Sequence, residues 1–179
     1  GSNTYSHSAI GHGAFLEILQ RLDIPVSVSR FKSLEKAGPT TLLVLAEPED
    51  DTTGQRLIDQ LSGEAHVLIV LPKWQAEPHR QRRDWVGPVS LRETVSILPL
   101  LQRIVPGAEL VRPGTFAEAR QNQLGYAPTL GQPQLVRSDK LSPVIANADG
   151  ILLGEMQIGK AKLWLLSDPD VIVNAGIGK

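Results

Sequence analysis

The chain contains no cysteine and only 4% aromatic residues, and each shortage excludes part of the chemistry open to a protein. Without cysteine there is no disulfide, no thiolate metal ligand and no thiol nucleophile. So few aromatic rings leave little material for a site built on stacking. The net charge of −1 gives no electrostatic reason to expect a nucleic acid or an anionic membrane surface as a partner.

Several sequence signatures are also missing. No run of about 18 apolar residues occurs, so no segment of this sequence is predicted to span a bilayer. No two histidines have the spacing of metal ligands, so we predict no metal site, and we expect His12 on the exposed surface of a helix. The sequence has neither a phosphate-binding glycine loop nor a Gly-x-Ser-x-Gly nucleophile elbow, so we predict no cofactor.

The 179 residues are enough for one domain with a sizeable core. Gly1-Ser2 resembles a cloning remnant, and we predict a single α/β domain over residues 3–179. Two apolar runs, residues 41–46 and 66–71, flank a helical pattern over residues 52–61. A strand, a helix and a strand at this spacing predict a βαβ unit with parallel strands.

The rest of the chain adds helices and further strands. Residues 9–22 and 91–104 have helical periodicity, although Pro99 interrupts the second segment. Four later segments have the pattern of strands, at residues 134–137, 144–146, 151–158 and 161–166. We therefore predict a three-layer α/β/α sandwich, flavodoxin-like in outline, with a mostly parallel sheet and a β-rich C-terminal part.

Polar residues follow three of the predicted strands. In parallel α/β sheets, ligands bind beyond the carboxyl ends of the strands, and the first helix should begin at the same edge. The candidate ligand-binding residues are Ser6, His7, Glu47, Trp74, Asp168 and Asp170. Helix or loop capping is the alternative role for the serine, the histidine and the carboxylates among them.

Residues 72–90 have no apolar period and contain the strongest local cluster of positive charge, which predicts an exposed excursion. Arg80, Arg82 and Arg83 lie there between Trp74 and Trp85. Tryptophan and arginine are enriched among interface hot spots, so this segment is a candidate protein-interaction surface. The alternative is a solvated loop whose charge is neutralised by neighbouring acidic residues.

Two functions are compatible with the candidate residues. In the first, the domain binds a ligand or a protein without catalysis. In the second, it is a hydrolase-like enzyme with His7 as base and Asp168 or Glu47 as acid or orienting group. Adjacent serine and histidine residues rarely aim both side chains at one reacting atom, so we favour binding without catalysis.

Short motifs near both ends of the chain are similar to those of a known family. A Tyr-Ser start leads into a glycine-containing helix, a strand ends in proline, and an Asp-Pro-Asp sequence precedes an asparagine. In these features the chain resembles the domain-of-unknown-function family 4350 from residue 3 to residue 179. The matching positions are Tyr5, Ser6, Gly11, Pro48, Asp168, Pro169, Asp170 and Asn174.

This resemblance implies properties that the residues alone do not indicate. The family is similar to class I glutamine-amidotransferase-like and GIFT domains, which generally lack the amidotransferase nucleophile. Its members often carry the domain between two membrane-spanning helices, which implies a periplasmic domain of an inner-membrane protein, anchored by flanking segments outside this soluble fragment. They often look like partners of a MoxR-type ATPase system, and a sugar is a ligand suggested for the wider group.

Overall fold

A computed structural model describes residues 11–27, 40–48, 66–78, 86–116, 121–125 and 128–173. These residues form two α-helices, ten strands and one 3-10 helix. The helices are α1 (Gly13–Arg21), α2 (Thr94–Ile104) and the 3-10 helix Pro169–Val171. The strands are β1 (Leu42–Ala46), β2 (His66–Val70), β3 (Trp74–Pro78), β4 (Val86–Leu91), β5 (Glu109–Val111), β6 (Gln121–Asn122), β7 (Leu135–Arg137), β8 (Ser142–Ala146), β9 (Ile151–Ile158) and β10 (Ala161–Leu166).

The described strands build one mixed eight-stranded sheet and one two-stranded sheet. The large sheet has the order β1-β2-β10-β9-β7-β5, with β8 pairing to β9 and β6 to β8. β2 lies between β1 and β10 and is parallel to both, so that Leu68 pairs with Val44 on one side and Trp164 on the other. The described pairs among the later strands are antiparallel. The chain is therefore an α/β protein with a sheet that is rich in strands.

The sequence pattern predicted a mostly parallel sheet, but the observed sheet is mixed. One reason is that several connections between the C-terminal strands are too short for a parallel crossover. β9 and β10 are joined by a turn in which Gly159 has a φ of 58°, a conformation that glycine adopts without strain. β7, β8 and β9 are likewise separated by only a few residues. A parallel pair needs a crossover of a dozen or more residues, so β8 and β9, like β9 and β10, can pair only as antiparallel hairpins. The three-layer, flavodoxin-like arrangement stays a prediction.

Apolar side chains fill both faces of the sheet. On one face, Leu101 and Ile104 of α2 pack in a cluster with Val67, Ile69 and Leu165. On the other face, a second cluster forms from alternate residues of the same strands, and Phe15 of α1 packs against it. Because side chains alternate along a strand, the continuous apolar run at residues 66–71 supplies both clusters, as its pattern predicted. The run at residues 41–46 was expected to be an interior strand, but in the described sheet β1 is a partly buried edge strand that adds Leu43 and Leu45 to the first cluster only.

Helix α2 runs through Pro99 without a break. Proline lacks the backbone N–H that would bond four residues back, to Val95. Val95 is 72% exposed and Pro99 is also exposed, so water can reach the carbonyl that proline leaves without a partner. The predicted interruption of the helix is therefore absent, and its buried side supplies Ile97, Leu100 and Leu101 to the core. Within the described part of the chain, neither helix has the length and hydropathy that a membrane span requires.

The predicted excursion over residues 72–90 contains a β-hairpin. β3 and β4 pair antiparallel in a sheet of their own, with Trp74 opposite Leu91. Pro88 and Val89 are exposed, in agreement with an excursion, but Pro72 and Lys73 at its base are buried. The base is buried because it continues directly from β2 in the middle of the large sheet. Four candidate interaction residues lie outside the described residues: Arg80, Arg82, Arg83 and Trp85.

The packing of α2 predicts a contrast between two positions of the same helix. Leu101 is fully buried and Val95 is 72% exposed. We expect Leu101→Ala to lower the free energy of unfolding by about 2–5 kcal/mol, because it leaves a cavity against the sheet. Val95→Ala should change it by less than about 0.5 kcal/mol. Urea unfolding of both variants tests this, and equal losses would contradict the packing of α2.

Candidate functional site

The three parallel strands β1, β2 and β10 end at one edge of the sheet, which we call the strand-end rim. Its residues follow directly from these strands: Glu47 after β1, Lys73 and Trp74 after β2, and Asp168 and Asp170 after β10. The backbone N–H of Glu47 donates to Val70 O, and that of Leu71 donates to Leu166 O. The three strand ends therefore lie side by side, with the outer two about 10 Å apart, which is two strand spacings.

Lys73 is the centre of a buried charged network at the rim. Its side chain has no exposed surface, and its Nζ donates to Asp168 Oδ1 at 3.1 Å, Asp168 Oδ2 at 2.9 Å and Asp170 Oδ2 at 2.7 Å. An ammonium has three N–H donors, so each donor has a partner. Trp74 Nε1 donates to Asp170 Oδ1 at 2.6 Å, and the Lys73 Nζ lies 5.2 Å from the centre of the Trp74 ring. Two predicted carboxylates and the predicted tryptophan therefore meet around a lysine.

Asp168 is fully buried and accepts bonds from the backbone as well as from lysine. Gln134 N donates to Asp168 Oδ2 at 2.8 Å, and Asp170 N donates to Asp168 Oδ1 at 2.9 Å. The second of these bonds caps the 3-10 helix, whose first residue is Pro169. An aspartate followed by a proline in the sequence favours a helical start, and the structure confirms this prediction for Asp168-Pro169. Burial raises the pKa of Asp168, the charge of Lys73 opposes that rise, and the charge of Asp170 adds to it.

A second layer of polar side chains holds this network in place. The Gln134 side chain is buried, and its Nε2 donates to Pro72 O at 3.1 Å and to Ser167 O at 2.8 Å. Its Oε1 accepts from Arg112 Nε at 3.1 Å and from a terminal guanidinium nitrogen of Arg112 at 2.7 Å. Burial lowers the pKa of Arg112, and the charge of Asp168, followed by that of Glu93, opposes this change. The amide thus links the segments after β2 and β10 to the arginine.

His12 and Glu47 form a separate buried pair at the rim. His12 precedes the first residue of α1, and its Nε2 lies 3.0 Å from Glu47 Oε1. Both residues are more than nine-tenths buried, yet neither ring nitrogen of His12 nor Glu47 Oε1 has the geometry of a hydrogen bond with any described residue. Glu47 also has a φ of 50°, in the left-handed region that costs a residue with a Cβ atom free energy.

Only some of the predicted site residues lie together at the rim. The structure brings Trp74, Asp168 and Asp170 into direct contact and puts Glu47 on the same rim. Ser6 and His7 lie outside the described residues. Asp168 has no exposed surface, so its geometry suits positioning of Lys73 better than direct ligand contact.

One prediction about the histidines was wrong, and several site residues were missed. His12 is buried against Glu47 instead of lying on the surface of a helix, because the start of α1 meets the end of β1. Sequence reasoning does not single out Lys73, Gln134 or Arg112 as site residues. The only signal for Lys73 is its position directly after the buried run at residues 66–71, and the other two carry no signal because their partners are distant in sequence.

The described residues of the rim provide no metal-binding group. Among them, no three histidine, aspartate or glutamate side chains come together in a metal-binding group. An apolar cavity of about 290 Å³ lies on the sheet face that carries the second cluster, and of its residues only Val171 adjoins Asp170. Its lining comprises Leu42, Leu68, Leu124, Ile145, Leu152, Leu153, Trp164, Leu166 and Val171.

Comparison with known proteins identifies a family that this chain matches. A family model described as "Domain of unknown function (DUF4350)" matches residues 4–179. A comparison with curated proteins finds no match.

The buried position of Lys73 predicts a large cost for its removal. Lys73→Met leaves Asp168 and Asp170 without their counter-charge in a site from which water is excluded. We expect the free energy of unfolding to fall by about 3–5 kcal/mol, measured by urea unfolding. Lys162→Met is the matched control, because Lys162 pairs with Glu155 at 3.1 Å but its side chain is 38% exposed. The control should lose at most about 1 kcal/mol, and a comparable loss in both variants would contradict the network.

The loss in Lys73→Met should also depend on pH. Burial raises the pKa of Asp168 above 3.8, and removal of the lysine raises it further because the opposing attraction is gone. A carboxyl whose folded-state pKa is raised contributes stability that is present below its unfolded pKa and is lost as pH rises through the folded pKa. The difference between the variant and the wild type should therefore be larger at about pH 8 than at about pH 4. A difference that grows towards acid pH would contradict this assignment.

Proposed function

This chain belongs to the DUF4350 family, whose domains are uncharacterised, and we propose that it is a non-catalytic ligand-binding domain with its site at the strand-end rim. The family itself names no ligand, so the proposal rests on the geometry of this chain. Ligands of α/β sheets bind beyond the carboxyl ends of parallel strands, where the rim lies.

The observation that carries the proposal is the His12–Glu47 pair. Among the described residues, His12 Nδ1 is buried without a hydrogen-bond partner, while His12 Nε2 and Glu47 Oε1 lie 3.0 Å apart without the geometry of a hydrogen bond. Leaving such a group unpaired costs about 1–3 kcal/mol, so native proteins rarely keep one without a reason. The left-handed backbone of Glu47 adds a further cost at the same residue. Unpaired buried groups and strained backbone together are typical of sites whose partner is a ligand.

The unpaired atoms define the kind of group that would complete the pair. A carboxylate oxygen only accepts hydrogen bonds, while a neutral imidazole offers one donor and one acceptor. A hydroxyl group both donates and accepts, so a polyhydroxylated ligand such as a sugar matches the pair. On the same rim Trp74 is half-buried, and its ring can cover an apolar part of the ligand. The proposed set of ligand residues is completed by Ser6, His7 and Asp170. The buried Asp168 positions Lys73 through hydrogen bonds.

The fold class, the location and a partner of the domain are also proposed, from its similarity to the DUF4350 family. The domain would share the three-layer sandwich of GIFT-like and class I glutamine-amidotransferase-like proteins. It would be the periplasmic part of a membrane-anchored protein and a partner of a MoxR-type ATPase system. The two parallel pairs that centre on β2 support the first point. An alternative role in protein interaction through Trp74, Arg80, Arg82, Arg83 and Trp85 depends on a segment that is mostly outside the described residues.

A hydrolase-like function is the second candidate, and one observation favours it. A histidine ring beside a carboxylate is the arrangement that orients a catalytic base. The histidine facing Glu47 is His12, however, whereas the sequence predicted His7 for this role. No hydroxyl of a described residue bonds to His12, and both of its ring nitrogens are buried. The geometry therefore supports binding better than nucleophilic catalysis.

If the His12–Glu47 pair serves binding, removal of the Glu47 side chain should weaken ligand binding but change the free energy of unfolding little. In Glu47→Gly, glycine adopts the left-handed backbone freely and an unpaired buried carboxylate is gone. We expect the free energy of unfolding to stay within about 1 kcal/mol of the wild type or to exceed it. In Glu109→Gly, where the strand backbone is ordinary, about 0.5–1 kcal/mol should be lost. A loss of more than about 2 kcal/mol in Glu47→Gly would mean that the pair is structural.

The binding itself is tested by a thermal-shift screen against sugars, nucleotides, amino acids and peptidoglycan fragments. A ligand at about 100 times its dissociation constant adds about 2.7 kcal/mol to stability, which is readily seen as a raised melting temperature. A ligand of the rim should lose this effect in Glu47→Gln and in Trp74→Ala, while Glu109→Gln serves as an exposed control. The proposal fails if no compound stabilises the wild type, or if each hit acts equally on both rim variants. Turnover of a hit by the wild type but not by Glu47→Gln would favour the hydrolase.

A further inference from the structure

We propose that Arg92 and Arg112 form a subsite beside the strand-end rim for the anionic group of a ligand, a carboxylate or a phosphate. This inference rests on the proposed binding function and adds the chemistry of one ligand group to it. The two arginines are neighbours, since a terminal nitrogen of Arg112 donates to Arg92 O at 2.6 Å. Both side chains are partly exposed, so a ligand can reach them from solvent.

Arg112 is held in position without an acidic partner. Its three described side-chain bonds go to neutral acceptors, two to Gln134 Oε1 and one to Arg92 O. A guanidinium has five N–H donors, so two remain for a ligand. Because Gln134 is itself fixed by Pro72 O and Ser167 O, the guanidinium is oriented before any ligand arrives. A pre-oriented planar fork of this kind binds carboxylate or phosphate oxygens in pairs.

Arg92 is the group that lacks a partner. Among the described residues, the buried Nε of Arg92 has no hydrogen-bond partner, and neither Arg92 nor Arg112 forms an ion pair. Arg92 N donates to Lys73 O, one position beyond the Trp74–Leu91 pair of the hairpin. The backbone of Arg92 therefore lies directly beside that of Lys73, at the base of the hairpin.

The charges around this place include a third carboxylate, Glu93, which lies near enough to Arg112 to act on its charge. Lys73, Arg92 and Arg112 carry three positive charges, and Asp168, Asp170 and Glu93 carry three negative ones. Glu93 is exposed and forms no described ion pair with either arginine, so a bound anion can compete with it for the two partly exposed guanidinium groups.

The test measures binding of inorganic phosphate and of succinate to the domain by isothermal titration, with sodium chloride of equal ionic strength as the reference. We expect saturable binding of at least one of the two anions. Arg92→Met should raise the dissociation constant at least about ten-fold. Arg92→Lys should raise it less, since lysine keeps the positive charge but lacks the planar guanidinium with its paired N–H donors. Phosphate binding alone would identify a phosphate group, and succinate binding alone a carboxylate.

Two control variants sharpen the result. Arg103→Met removes an exposed arginine at the far end of α2 and should leave binding unchanged. Glu93→Gln removes a competing negative charge and should tighten binding two- to three-fold. If Arg92→Met does not fold, the Nε–H signal of Arg92 in the NMR spectrum of the wild type decides, because it should move on addition of the anion. The subsite is wrong if neither anion binds saturably, or if Arg92→Met binds as tightly as the wild type.

The two proposals can fail separately. A neutral ligand that depends on Glu47 and is unaffected by Arg92→Met would remove the anion subsite and keep the rim as a binding site. Phosphate or succinate binding that depends on Arg92, with no ligand depending on Glu47, would keep the subsite and remove the proposed role of the His12–Glu47 pair.

Discussion

The arrangement of the rim depends on one buried cation, Lys73. An ammonium withdrawn from water is tolerated only when acceptors surround it, and here two carboxylates from the far end of the chain supply them. That requirement fixes the segment after β10 against the segment after β2, although nearly a hundred residues separate them. Trp74, Gln134 and the 3-10 helix then take their positions from the same carboxylates.

The two halves of the rim differ in how well their polar groups are satisfied. Around Lys73 every ammonium donor has a partner, so this half is rigid and suited to support. Around His12 and Glu47, buried nitrogen and oxygen atoms lack hydrogen bonds to the described residues, and the backbone of Glu47 is strained. A rigid charged network around Lys73 beside the incompletely hydrogen-bonded His12–Glu47 pair is the combination expected where a binding site lowers the stability of a protein. The apolar cavity on the sheet face lies apart from this chemistry.

Much of the secondary structure followed from the sequence pattern, while the sheet topology and the site followed only in part. The apolar run at residues 66–71 predicted a strand buried on both faces, and β2 is that strand. Asp168-Pro169 predicted a helical start, which the 3-10 helix confirms. The prediction of a mostly parallel sheet was wrong, because the strands of the predicted β-rich C-terminal part pair antiparallel with one another. His12 was misjudged because helical periodicity cannot tell which end of a helix meets a strand end.

The sequence by itself determined the local features of this protein, since they depend on neighbouring residues: apolar alternation, proline at a helix start, glycine in a turn, and the absence of cysteine. It also placed polar residues after the strands, where a site of an α/β fold is expected. Only the tertiary structure decided their roles, because the partners of Lys73, Gln134 and Arg112 are distant in sequence. Burial is a property of the folded chain alone. It removes Asp168 from direct ligand contact, and among the described residues it leaves Arg92 Nε without a hydrogen-bond partner.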